Sequence, residues 1–204
     1  MEGILSFIQP HNWTVNETLE LFSVLLSLLF ISGIALKKLW AWPLGIIASS
    51  IAVVLFYRLN LFSESILNIF YVVLGFYGWW RWKRIARDYE DSANDGISEI
   101  PPMYHALILS IGFFLVAVVG WYFSGYTRAS LPYLDALTTV FGMIATLLEA
   151  RKIRSCWYYW VVINGLSIAL YLLKDLQLYS ALAVVFTLLS VWGWWSWRAQ
   201  NARS

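Results

Sequence analysis

The chain has 204 residues, 60% of them hydrophobic and only 13% charged, whereas soluble domains run to roughly half apolar and a quarter charged. A water-soluble fold could not hide that much apolar surface, and a formal charge of +2 gives no reason to expect a nucleic-acid partner. One cysteine, Cys156, excludes an internal disulfide, and two histidines, His11 and His105, are too few for a metal cage, so no cofactor or metal site is expected.

Residues 1–17 lack the positive n-region of a signal peptide and carry Glu2 and Glu17 instead, so they read as an N-terminal segment outside the membrane. A bilayer core about 30 Å thick needs on the order of 20 apolar residues per helix. Runs bounded by charges or turn residues supply seven such spans, at about 18–36, 40–57, 63–82, 104–124, 132–150, 157–173 and 178–197. On the third, Asn68, Tyr71, Gly75 and Gly78 share a helix face. Asp88 to Pro102 (DYEDSANDGISEIPP) lies within a hydrophilic connector at 83–103, read as solvated. The fourth span, 104–124, is a linker helix, and the fifth offers Asp135, Thr138, Gly142 and Ala145 on one face. The sixth carries the clearest stripe: Trp157, Trp160, Asn164, Ser167 and Tyr171 recur at intervals of three and four. A polar and aromatic face does not suit lipid, so it belongs in the bundle interior. A short tail, 198–204, follows the seventh span.

Charge sets the orientation. With seven spans, the N-terminal side holds Arg58, Arg128 and Lys174, three of the fourteen basic residues, and the other side holds the remaining eleven. By the positive-inside rule the N-terminus faces the periplasm and the C-terminus the cytoplasm.

The sequence also repeats. GFYGWWRW at 75–82 matches SVWGWWSW at 190–197, an offset of 115 that also pairs Trp42 with Trp157, Leu55 with Leu170 and Ser65 with Ser180. The predicted architecture is all-helical: two parallel three-helix repeats, 18–82 and 132–197, joined by the linker helix in a 3+1+3 plan like that of the SWEET proteins, with a solute site between the repeats. Trp79, Trp80, Trp82, Trp194, Trp195 and Trp197 read as interfacial anchors. Gly75, Gly78, Gly142 and Gly165 read as close-packing points. Asn164 aligns with Ser49 and Asn68 with Ala183, so the amides break the repeat symmetry. Each asparagine either bonds a neighbouring helix or lines a solute path. Trp and Tyr faces with amide and hydroxyl donors suit a flat, cationic heteroaromatic ring.

Other classes fare worse. Glu64, Asp135, Glu149 and Asp175 lie near span ends, where pairing or solvation explains them, and no span has a central carboxylate for a proton relay. No GxxxxGK[ST] segment serves ATP, and the seventh span has no lysine for a retinal Schiff base. The spans hold one histidine, His105, so no catalytic or metal residues are assigned and an intramembrane enzyme or a non-transporting receptor is the minor alternative.

The segments LNIFYVVLGFYGWWRW (67–82), LPYLDALTTVFGMIATLLEARK (131–152) and WYYWVVINGLSIALYLLKDLQLYSALAVVF (157–186) resemble the PnuC family of bacterial vitamin transporters. The resemblance implies a homotrimer in the bacterial inner membrane and facilitated diffusion of nicotinamide riboside, trapped afterwards by a cytosolic kinase. Thiamine and riboflavin are carried by relatives. The family's binding region falls on Asn68, Tyr71, Thr138, Trp157, Trp160 and Asn164. Glutamine is expected at the first of these positions in many nicotinamide riboside members and aspartate at the last. Thiamine, also a flat aromatic cation, therefore stays open as the alternative.

Overall fold

The computed structural model describes residues 14–58, 62–88, 96–126, 131–173 and 177–198. Among them are seven helices: α1 (Val15–Ala35), α2 (Ala41–Arg58), α3 (Phe62–Asp88), α4 (Pro102–Tyr126), α5 (Pro132–Ala150), α6 (Cys156–Leu173) and α7 (Gln177–Arg198). The N-terminal segment up to residue 13, Arg128, Lys174, Asp175, the side chain of Glu64, connector residues 89–95 and the tail from 199 lie outside the described residues.

Local chemistry explains where these helices start and stop. Thr14 and Glu17 close a capping box on α1, the Thr14 hydroxyl accepting from Glu17 N and the Glu17 carboxylate accepting from Thr14 N at 2.8 Å. Pro132 opens α5, where its missing N–H costs nothing. Two helices end in the same Schellman motif. Lys37 N and Lys38 N donate to Ile34 O and Gly33 O at 2.9 and 2.8 Å, and Lys152 N and Ile153 N donate to Glu149 O and Leu148 O at 2.9 and 3.0 Å. The left-handed residue is a lysine each time, Lys37 at φ 59° and Lys152 at φ 55°.

Six of the seven helices are long and apolar enough to cross a membrane. The exception, α3, has its apolar run diluted by Asn68, Tyr71, Tyr77, Trp79 and Trp80 before the charges from Arg81 begin. Packing nevertheless counts α3 with the others. Around a ring, α1 touches α2, α2 touches α3, α3 touches α5, α5 touches α6, α6 touches α7, and α7 returns to α1. Helix α4 stands outside the ring and packs mainly on α5, with Gly112 and Gly120 clearing room for Phe141 and Tyr133, and it touches α6 where His105 meets Tyr159. Successive helices run in opposite directions. At one end Arg58 Nε donates to Asn16 Oδ1 at 3.0 Å; at the other Ser196 Oγ donates to Ala35 O.

The offset of 115 recurs in the packing. Trp82 Nε1 donates to Glu149 O and Trp197 Nε1 to Ile34 O, each at 3.2 Å. Ser65 Oγ donates to Val53 O at 3.0 Å and Ser180 Oγ to Ile168 O at 3.4 Å. Trp42 meets Trp82 edge-on at 5.6 Å, and Trp157 meets Trp197 edge-on at 5.4 Å. Gly78 makes space for the Trp42 ring as Gly193 does for Trp157.

Three expectations change here. Trp82 and Trp197 are 2% and 0% exposed and form, with Trp42 and Trp157, the core at the second end of the bundle. They are not interfacial anchors, because each indole N–H is needed by a carbonyl at a helix terminus. Trp79, Trp80 and Trp195 do lie exposed. Gly165 is exposed and a Cβ there would meet nothing, so it clears no packing contact. The connector is only partly solvated: Ser98 bridges to Ile153, Ser98 N donating to Lys152 O and Arg154 N to Ser98 O, both at 3.0 Å. Glu99 pairs with Arg154, and Ile97 and Ile100 pack against the tryptophan core.

Candidate functional site

Every helix of the ring contributes to one cavity of about 400 Å³, and α4 contributes nothing. Its walls hold residues related by the 115 offset: Ile31 and Thr146, Gly45 and Trp160, Ser49 and Asn164, Asn68 and Ala183, Tyr71 and Phe186. The cavity therefore lies between the two halves of the bundle. The same pairs show how unlike its walls are, since a tryptophan, two asparagines, a threonine and a tyrosine each correspond to a residue of different size or polarity.

Several of the polar side chains have a local reason for their position. Asn164 Nδ2 donates to Ser190 Oγ on α7 at 3.3 Å, and Ser190 Oγ donates to Phe186 O one turn back at 2.7 Å. Thr146 Oγ1 likewise donates to Gly142 O at 2.9 Å. Tyr71 of α3 reaches α5 because position 142 is glycine; a Cβ there would lie 2.8 Å from the Tyr71 hydroxyl oxygen. Trp160 Nε1 donates to Glu149 Oε2 at 2.7 Å, joining α6 to α5 across the wall. Trp42 is shared, lining the cavity and belonging to the tryptophan core beneath it.

Of the six residues predicted for the site, Asn68, Tyr71, Trp160 and Asn164 line the cavity; Thr138 and Trp157 do not. Thr138 sits near the start of α5, its hydroxyl donating to Leu134 O and Asp135 O of its own helix at 3.2 and 3.0 Å. Trp157 begins the α6 stripe, but its ring fills the space over Gly193 and is fully buried in the core. The stripe otherwise holds: Ser167 and Tyr171 line the cavity with Trp160 and Asn164. His105 is engaged by the Tyr159 hydroxyl at 3.0 Å.

Glu149 is the residue that sequence reasoning missed. It is 3% exposed and lies on the cavity wall. Its place near the end of a span suggested pairing or solvation; it is paired, with Trp160, and not solvated. Yet the face through Asp135, Thr138, Gly142 and Ala145 arrives, one turn further, at residue 149. The ring closes over that end of α5, so proximity to a helix terminus does not bring water. No Lys, Arg or His lines the cavity among the described residues. The site has aromatic faces, hydroxyls, amides and one carboxyl group, which suits recognition of a flat polar solute.

A sequence model of the nicotinamide mononucleotide transporter family matches residues 17–199. The chain belongs to that family. It is similar to the nicotinamide riboside transporter PnuC of Escherichia coli (strain K12), at 23% identity over 88% of this chain and 84% of that protein. It is also similar to the riboflavin/roseoflavin transporter RibM of Streptomyces davaonensis, at 23% identity over 82% of this chain and 78% of that one. A crystal structure of the vitamin B3 transporter PnuC superposes with a TM-score of 0.75 at 21% identity, covering 99% of this chain and 87% of the other. The fold is thus that of a multi-pass membrane protein in a transporter family.

Proposed function

We propose that the chain carries nicotinamide riboside across the bacterial inner membrane by facilitated diffusion, and that a cytosolic kinase traps the solute after entry. One observation carries this reading: a cavity of about 400 Å³ between the halves, walled by tryptophan and tyrosine with amides and a single carboxyl group. Binding pockets for small organic molecules run from about 300 to 1,000 Å³. A pyridinium ring stacks on indole and is attracted to its negative face, while amides and hydroxyls serve the ribose. The unphosphorylated riboside fits better than the mononucleotide, since a phosphate would meet Glu149 and no cationic side chain among the described lining residues. Thiamine is the second reading, favoured by Asn68 and Asn164 at positions where the resemblance leads one to expect glutamine and aspartate.

The same proposal takes 18–82 and 132–197 as the two units that move against each other, with 104–124 as their linker, the N-terminus periplasmic and the chain assembled as a homotrimer. It assigns no enzymatic step. Purified protein in liposomes should equilibrate nicotinamide riboside without an ion gradient, and accumulate it only when nicotinamide riboside kinase and ATP are enclosed. Strict dependence on a proton or sodium gradient would overturn the uniport mechanism; uptake of thiamine but not of the riboside would move the assignment to the second reading.

A further inference from the structure

We propose that Glu149 is a specificity determinant, an acid whose carboxylate form a positively charged ring stabilises, so that the cavity prefers such a ring over an uncharged ring of the same shape. The inference rests on the transport reading above and deepens it. The carboxylate is buried, Oε2 accepting from Trp160 Nε1 at 2.7 Å, while Oε1 is buried without a hydrogen-bond partner among the described residues. A half-satisfied carboxylate away from water is stabilised by a positive charge beside it. With no Lys, Arg or His in the described lining, that charge is left for the occupant to bring.

The scaffold does not need the carboxylate. Position 149 does structural work through its carbonyl, which accepts from Trp82 Nε1 and from Lys152 N. The related position, Ile34, does the same work for Trp197 Nε1 and Lys37 N with an aliphatic side chain. An isoleucine thus suffices for the motif, and the acid at 149 is an addition. Its donor is an addition too, because the position related to Trp160 is Gly45. The two occur together on one half only, so ring and charge lie side by side on one wall, the combination a flat cation requires.

The test is calorimetric titration of the intact, detergent-purified protein with nicotinamide riboside and with its 1,4-dihydro form, which keeps the shape but has an uncharged ring. The parent should bind the cation tighter by about tenfold or more, the range of hydrogen bonds to charged groups. Glu149→Gln, isosteric and still able to accept from Trp160, should bring the cation down to the level of the dihydro form and leave the dihydro form within about twofold of the parent. Should the parent bind thiamine instead, the same comparison is made with 3-deazathiamine, whose ring is uncharged. A parent that binds charged and uncharged partners equally overturns the inference even if the variant fails to fold. So does a Glu149→Gln protein of unchanged elution that keeps the parent's preference. A parent that binds none of these ligands overturns the transport reading itself, a result distinct from either.

Discussion

Trp157 and Trp160 stand one turn apart on the same face of α6, but one is a core residue and the other a wall of the cavity. Substitution should separate them. Trp160→Ala removes a ring face worth about 2 kcal/mol to a desolvated cation, which is roughly thirty-fold in affinity. Trp160→Phe keeps a face, with a weaker quadrupole and without the N–H that fixes Glu149, so its loss should be smaller. Trp157→Ala should act on stability instead, by about 3–5 kcal/mol, the range for a large aromatic removed from a packed core. Titration and thermal unfolding of the same purified variants decide this, and a Trp160→Ala protein with parental affinity would make that residue packing. Periodicity revealed the stripe; which end of it meets the tryptophan core depends on Gly193, on another helix.

At the scale of elements, the glycines set helix approach. Gly78 and Gly193 lie against the rings of Trp42 and Trp157, and an added methyl at either would overlap an indole that is itself buried. Overpacking of this kind typically costs about 1–3 kcal/mol. Gly78→Ala and Gly193→Ala should therefore lower the unfolding temperature in detergent. Gly165→Ala should hold or raise it, because nothing stands near its Cβ and alanine is favoured over glycine within a helix by about 0.5–1 kcal/mol. Equal stabilisation by all three would show that helix propensity and not ring clearance governs these positions. All three glycines look alike in the sequence, since what each faces belongs to a different element.

For the whole molecule, alternation of the helices puts the end of α3 with the tryptophan core and the end of α2 at the opposite face. The bias of basic residues toward the tryptophan side predicts that this side is cytoplasmic. In a Cys156→Ala background, Arg87→Cys should be protected from an impermeant thiol reagent in intact cells and Tyr57→Cys should be labelled; both positions are exposed, and Cys156 is buried. The reverse pattern would invert the orientation.

By itself the sequence determined the helices, their number, the internal offset and the polar stripes, because each is written in local periodicity, in charge at span ends or in direct self-similarity. Asn68, Tyr71, Trp160 and Asn164 were found this way, each being a polar or aromatic side chain on an otherwise apolar span. Only tertiary structure decided that Trp82 and Trp197 are core and not anchors, that Thr138 bonds within its own helix, that the connector docks through Ser98, and that Glu149 is sealed beside Trp160. Thr138 apart, whose partners lie one turn back in its own helix, the deciding partner is distant in sequence. Burial at a helix end depends on what the other helices place over it, and no window along one chain segment contains that information.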